Sequence, residues 1–165
     1  MKKIPLGKSG LFAMVDDADY NWLICYNWRD KKRANGQIMA VERVPKLGAW
    51  KRVYMHRFIL EASGKSVVDH VDGNPLNNTR ENIRICSHAD NMKNRRIHKN
   101  NASGYKGVAW HKRTKKYSAR IMADGKVFNL GYFDSAHDAA QKYDEAAREY
   151  HGEYAKVNFE GVQNA

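Results

Sequence analysis

The sequence is poor in cysteine, in acidic residues and in long apolar runs. Cys25 and Cys86 are its two cysteines; they lie far apart, and no C-x-x-C pair exists. A cysteine zinc site and a disulfide framework are therefore not expected, which suits a reducing cytoplasm. No stretch approaches the roughly 18 apolar residues of a membrane helix. Met1-Lys2-Lys3-Ile4-Pro5 leads into no apolar run either, so neither a signal peptide nor a membrane partner is expected. Acids number 18 against 29 lysines and arginines, a net charge of +11. Such an excess attracts polyanions, nucleic acid first. The bland alternative is a soluble protein that is merely basic.

What is present reads as globular. Hydrophobic residues make up 42% and charged residues 28%, ordinary values for a folded domain. A length of 165 residues suggests one domain or two small ones. Residues 1–60 read as short strands and turns. Asp16-Asp17-Ala18-Asp19 is a polar turn or a helix start, and Trp22 to Trp28 is an apolar cluster. Asn35-Gly36 is a hairpin signal, with Ile38, Ala40 and Val41 on the return strand. Lys46 to Trp50 reads as a second turn, and Val53 to Leu60 as an apolar stretch with a helical end.

Residues 61–94 hold the stretch Val68-Asp69-His70-Val71-Asp72-Gly73-Asn74-Pro75-Leu76-Asn77-Asn78. Val67-Val68 reads as a strand, Asp69 to Glu81 as a long polar turn and Ile83 to Cys86 as a second strand. Ser87 and Asp90 form a capping box opening a helix through Asn94. Residues 95–102 are basic and aperiodic: a linker, whose Arg95 and Arg96 could lie along a phosphate backbone.

Residues 103–160 form a second unit. Tyr105–Trp110, Tyr117–Met122 and Val127–Leu130 read as three strands. Ser135 and Asp138 cap a helix with Ala136, Ala139, Ala140, Tyr143, Ala146, Ala147 and Tyr150 on one face. The strands carry Lys106, Lys112, Arg113, Lys115, Lys116, Arg120 and Lys126 against Asp124, whereas the helix region is acid-rich. A basic sheet face bearing the aromatics Trp110 and Tyr117 could enter a DNA major groove; a solvated edge with ordinary lysines is the alternative.

Four blocks of this unit resemble the plant Apetala-two/ethylene-response-factor DNA-binding domain. They are Gly104-Tyr105-Lys106-Gly107-Val108, Leu130-Gly131-Tyr132-Phe133-Asp134-Ser135-Ala136, Ala139 to Ala147 and Gly152 to Phe159, in the family's order and spacing. The resemblance implies a small three-stranded antiparallel sheet packed by one helix and lying in the major groove. It places Lys106 on a DNA-contacting arginine, Arg120 and Met122 on groove-facing positions, and Asn129 where the family has tryptophan. Ala109 replaces an arginine, so the plant target sequence does not carry over.

The polar loop admits three readings. As an EF-hand starting at Asp69 it fails, because Val71 and Gly73 stand at positions 3 and 5 and Asn74 at position 6. As a turn it explains Asp72-Gly73-Asn74-Pro75 but not His70. As catalysis it gains from Asn82, twelve residues after His70, and Asn91, nine further on. Together with Met55-His56-Arg57, Asn77 to Arg84 and Asn91 to Asn94, this set resembles the HNH nuclease family, closest to homing endonucleases of phages and their introns. The resemblance covers residues 53–94 and implies a ββα unit gripping one divalent metal. His70 is the expected base, because a neutral imidazole can take a proton from water. Asp69 and Asn91 are the expected metal ligands, and oxygen ligands suit Mg²⁺ or Mn²⁺. Asn82 is expected to hold the loop and orient His70. His56 reads as a packing residue, and His88 and Asn94 as rival ligands.

The expectation is thus an α+β chain. Residues 1–94 form a ββα-metal nuclease domain with its core at 53–94, residues 95–102 a linker, and residues 103–160 a DNA-reading domain. Its function would be metal-dependent hydrolysis of double-stranded DNA by a monomer, or a dimer for double-strand breaks, in the cytoplasm of a phage or bacterial host cell. Two alternatives remain: a non-catalytic DNA-binding regulator with a decayed nuclease domain, and an RNA-binding or RNA-cutting protein.

Overall fold

The computed structural model describes residues 1–46, 49–94, 97 and 100–159. The fold is α+β, with small antiparallel sheets, and divides into two units, Met1–Asn91 and Met92–Ala165.

In the first unit β1 (Lys2–Pro5) and β2 (Phe12–Val15) pair antiparallel. Helix α1 (Asp17–Leu23) follows directly, so the polar Asp16–Asp19 run is a helix start. β3 (Arg29–Lys32), β4 (Ile38–Lys46) and β5 (Ala49–Tyr54) form an antiparallel sheet in that order. The β3–β4 turn is the one expected at Asn35-Gly36: Gly36 has φ 86° and Asn35 Oδ1 accepts the Gln37 N–H at 3.1 Å. Of the second expected turn, Lys46 ends β4 and Ala49 begins β5; Leu47 and Gly48 lie outside the described residues. Helix α2 (Met55–Ile59) buries Met55, His56 and Ile59.

β6 (Val67–His70) and β7 (Ile83–Cys86) form an antiparallel pair, followed by α3 (His88–Lys93). β6 is longer than its apolar residues suggest. Asp69 pairs with Arg84 and His70 with Ile83, so both belong to the strand, and the long turn starts only at Val71. The α3 capping box forms: Ser87 Oγ accepts the Asp90 N–H at 3.1 Å and donates to its carboxylate at 2.6 Å. The core gathers Ile4, Leu6, Val15, Leu23, Trp28, Met55, Ile59 and Ile83. The first sixty residues therefore supply most of the core on which β6 and β7 rest.

In the second unit β8 (Val108–His111), β9 (Lys116–Ala123) and β10 (Lys126–Phe133) form an antiparallel sheet in the order β10-β9-β8. Helix α4 (Ala136–His151) begins at Ser135, whose Oγ accepts the Asp138 N–H at 3.0 Å. Ala139, Ala140, Tyr143, Ala146 and Ala147 are buried against the sheet, the four small alanines permitting close approach. Tyr150, expected on the same face, is exposed and stacks on Phe128 at the helix end, ring centroids 5.1 Å apart. Arg95 and Arg96 of the expected linker, with His98 and Lys99, lie outside the described residues. No described helix is long and apolar enough to cross a membrane.

Candidate functional site

Asp69 and His70 close β6, and both are nearly buried, at 8% and 7% exposure. The Asp69 carboxylate lies 3.4 Å from the Arg84 guanidinium across the pair. The His70 ring meets the His56 ring edge-on, centroids 5.0 Å apart. Its Nε2 lies 3.5 Å from Asn78 Oδ1, at the limit of a hydrogen bond. Burial pushes the His70 pKa below the ordinary histidine value, against the upward pull of Asn78, Asp72 and Asp69. The imidazole is therefore neutral near pH 7, the form that accepts a proton.

The loop after His70 is closed by Asn82. Its Nδ2 donates to Asp72 Oδ1 at 2.9 Å and to the Asn77 carbonyl at 2.8 Å, while its Oδ1 accepts the Asp72 N–H at 3.0 Å. The Val71 N–H donates to the Asn82 carbonyl at 2.8 Å. Asn82 thus fixes both residues that follow His70. Asp72 does more than turn the chain. Its carboxylate also accepts from the Asn74 N–H at 2.7 Å and from Asn77 Nδ2 at 2.8 Å. Partial burial raises its pKa, but those hydrogen bonds and the one from Asn82 outweigh burial and hold it below the usual carboxylate value.

The N-terminal segment clamps the far side of this loop. The Met14 N–H donates to the Leu76 carbonyl and the Asn78 N–H to the Met14 carbonyl, each at 2.8 Å. Arg80 places Nε and Nη2 on the two oxygens of buried Asp19, both at 2.8 Å, and its N–H reaches Asp16 Oδ2 at 2.7 Å. Asn78, fully buried between this clamp and His70, is a neighbour that sequence reading passed over. The doubled Asn77-Asn78 was its visible signal.

His56 is the other. It is 6% exposed, and its Nδ1 is buried with no hydrogen-bond partner among the described residues. Burial first, then repulsion from His70, Arg57 and Arg33, lowers its pKa to about 3. Asn91 is half-buried on α3, its N–H bonded to the Ser87 carbonyl at 3.1 Å; His88 is exposed and Asn94 buried. The Asp69 carboxylate and the Asn91 amide oxygen are donors of the hard type that hydrated Mg²⁺ or Mn²⁺ accepts. Among the described residues no three His, Cys, Asp or Glu gather as an all-protein cage. A sparse oxygen set suits an ion that keeps waters and takes substrate oxygens as further ligands.

In the second unit, strand register sorts the predicted contact residues. Val108 pairs with Ala119 and Trp110 with Tyr117, and paired residues share a face. Tyr117 packs against the core beneath α4. Trp110 and Tyr117, whose rings lie 4.9 Å apart, are therefore on the α4 side, not among the residues of the open face. The face away from α4 carries the pairs Arg120–Asn129 and Met122–Val127, with Ala109 and His111 on β8. Lys112, Arg113 and Lys115 are exposed in the β8–β9 turn. Lys106 is half-buried, and its ammonium donates to the Lys93 carbonyl. Burial first, then Lys156, lowers its pKa to about 8, with Asp144 pulling the other way.

Comparison with known proteins matches each unit separately. The HNH endonuclease family model matches residues 53–93 and the AP2 domain model residues 103–153. The chain is 36% identical over 89 residues to protein 3.8 of Escherichia phage T7, covering 54% of this chain and 73% of that protein. It is 34% identical over 113 residues to an uncharacterized HNH endonuclease of Acanthamoeba polyphaga mimivirus, covering 65% and 58% respectively. It is 42% identical over 67 residues to an AP2-like ethylene-responsive transcription factor of Arabidopsis thaliana, but spans only 14% of that protein's length.

Proposed function

The chain belongs to the same family as protein 3.8 of Escherichia phage T7 and joins an HNH endonuclease domain to an AP2 domain; from this premise we propose that it is a metal-dependent DNA endonuclease of the homing type. Residues 1–94 cut, residues 95–102 connect, and residues 103–160 read the DNA. The observation that carries the reading is the Asp69–His70 pair, buried at the end of β6 beside a loop that Asn82 fixes.

His70 takes the proton from the water that attacks phosphorus. Its neutral, desolvated ring is suited to that step, and a positioned base of this kind is worth about 10² to 10⁴ in rate. Asn82 keeps the chain on either side of the loop in register and so holds His70 in place. Asp69 and Asn91 would hold the cation, with β6, β7 and α3 as the ββα unit. Such a cation, Mg²⁺ or Mn²⁺, would supply neutralisation of the charge that develops on the leaving oxygen. Arg84, beside Asp69, keeps that carboxylate oriented across the strand pair.

The open face of the β8–β9–β10 sheet enters the major groove. Arg120, Met122 and Asn129 meet base edges, while Lys106, Lys112, Arg113 and the linker residues Arg95 and Arg96 meet phosphate. Trp110 and Tyr117, on the α4 side, support the sheet from behind. One active site per chain nicks one strand; a double-strand break requires two chains or two visits. The site of action is the cytoplasm of the host cell.

Incubation of the protein with supercoiled plasmid tests this. Relaxation is expected with Mg²⁺ or Mn²⁺ and none in chelator. A second readout needs no cleavage: Mn²⁺ bound by the wild type, seen by electron paramagnetic resonance, is expected to be lost in Asp69→Ala. Metal-independent relaxation, or equal Mn²⁺ binding by that variant, overturns the metal assignment. Binding to DNA without cleavage of any sequence leaves a regulator instead.

A further inference from the structure

The open face of the sheet is not uniformly polar. Met122 and Val127 are directly paired on it and are among the most exposed large apolar side chains of the unit, at 63% and 60%. Singly exposed apolar residues are unremarkable. These two differ in having a partner on the adjoining strand and a polar rung beside them. The next rung on the same face is Arg120–Asn129. Among the described residues the Arg120 guanidinium has no hydrogen bond or ion pair, and Asn129 Oδ1 accepts the Gly131 N–H at 3.3 Å, just where the bulge between Asn129 and Gly131 interrupts the register.

Other apolar residues of these strands face the opposite side. Ile121 is buried with Tyr143, Ala146 and Ala147, and Phe128, paired with Ile121, stacks on Tyr150. Ile121 is the buried member of that rung and serves the fold. Met122 and Val127 point away from that core and contribute nothing to it.

Major-groove chemistry gives such a rung a specific counterpart. Thymine alone presents an apolar group there, its 5-methyl, while arginine matches guanine O6 and N7 and asparagine matches adenine N6 and N7. Successive same-face rungs lie about 6.6 Å apart along a strand, close to two base-pair steps of about 3.4 Å. Resting on the DNA-binding reading above, we propose that Met122 and Val127 read thymine methyl groups. The preferred target thus holds one or two thymines about two base pairs from a purine contacted by Arg120 or Asn129. The rung also selects DNA over RNA, because uracil lacks the methyl.

The test uses the full chain and the duplex it selects from a randomised DNA pool, with affinity measured at one fixed salt concentration in chelator. Each thymine of the selected duplex is then replaced by deoxyuridine, which removes only the methyl. Wild-type affinity is expected to fall about fourfold for each methyl lost from the contacted position. The double variant Met122→Ala/Val127→Ala, changed only at exposed positions, is expected to bind the thymine and deoxyuridine duplexes equally, and each single variant to lose part of the discrimination. Affinity that stays within experimental error for every deoxyuridine substitution, while the selected duplex is still bound, overturns the methyl-reading proposal and leaves DNA binding standing. Equal sensitivity of wild type and both Met122→Ala and Val127→Ala overturns the residue assignment. Failure to bind any duplex removes the DNA-binding reading itself, and this proposal with it.

Discussion

His56 shows how burial at one residue reaches the stability of its unit. Its pKa falls from 6.5 to about 3, chiefly through desolvation. Below pH 6.5 the unfolded chain takes up a proton that the folded chain refuses. Stability is then full above that pH and drains as pH falls, at up to about 1.4 kcal/mol per pH unit for one proton. Chemical denaturation of the first unit should therefore show a midpoint that drops between pH 7 and pH 5. His56→Gln should flatten the slope; an unchanged slope would mean that another group carries it. Asn82 makes a second prediction at this scale. Asn82→Ala leaves a buried loop short of three side-chain hydrogen bonds and should cost about 2–4 kcal/mol. It should also slow strand cleavage with little loss of DNA affinity, because it acts through His70. Of these residues, Asp69, His70 and Asn82 stood out in the sequence by type and spacing. His56 was legible as a packing residue but its partner was not, and Asn78 stood in a doubled pair with no role of its own, since their contacts to His70 are made across 14 and 8 residues of chain.

Among the elements, β8 to α4 depend on one glycine and one buried acid. Gly107 has φ +76°, and a Cβ there would collide with the Tyr143 ring and lie 2.8 Å from the Arg120 carbonyl. Gly107→Ala should destabilise the second unit by about 3 kcal/mol, through backbone strain and overpacking together; a thermal midpoint within a degree of wild type would contradict it. Asp144, 2% exposed, accepts the N–H groups of Asn158 and Phe159, at 2.8 Å each, and Asn158 Nδ2 at 2.9 Å. Asn158 Oδ1 in turn accepts the Lys106 N–H at 2.6 Å. The segment after α4 is thereby tied to the start of the sheet. Helix starts were legible because Ser87–Asp90 and Ser135–Asp138 carry their own caps. The extent of β6 was not, because its last two residues are polar and only pairing with β7 makes them strand. The face of Trp110 and Tyr117 was hidden for a related reason. It is set by the register across the turn between His111 and Lys116, and composition alone does not carry register.

Over the whole molecule the net charge of +11 sets the dependence on salt. Exchange of exposed Lys112 and Arg113 for alanine should lower the slope of log affinity against log salt by about 1.8, two phosphate contacts at about 0.9 each; an unchanged slope would remove the β8–β9 turn from the interface. The HNH and AP2 motif sets were both legible in the sequence, whereas the role of the first sixty residues became clear only in the core and in the clamp of Met14, Asp16 and Asp19 on the loop that follows His70. The most direct test of the central claim is the rate of plasmid nicking by His70→Ala beside wild type, at saturating protein with Mg²⁺ or Mn²⁺. The account predicts a rate lower by about 10² to 10⁴ with DNA affinity and melting behaviour retained; a His70→Ala protein that nicks as fast as wild type would contradict it.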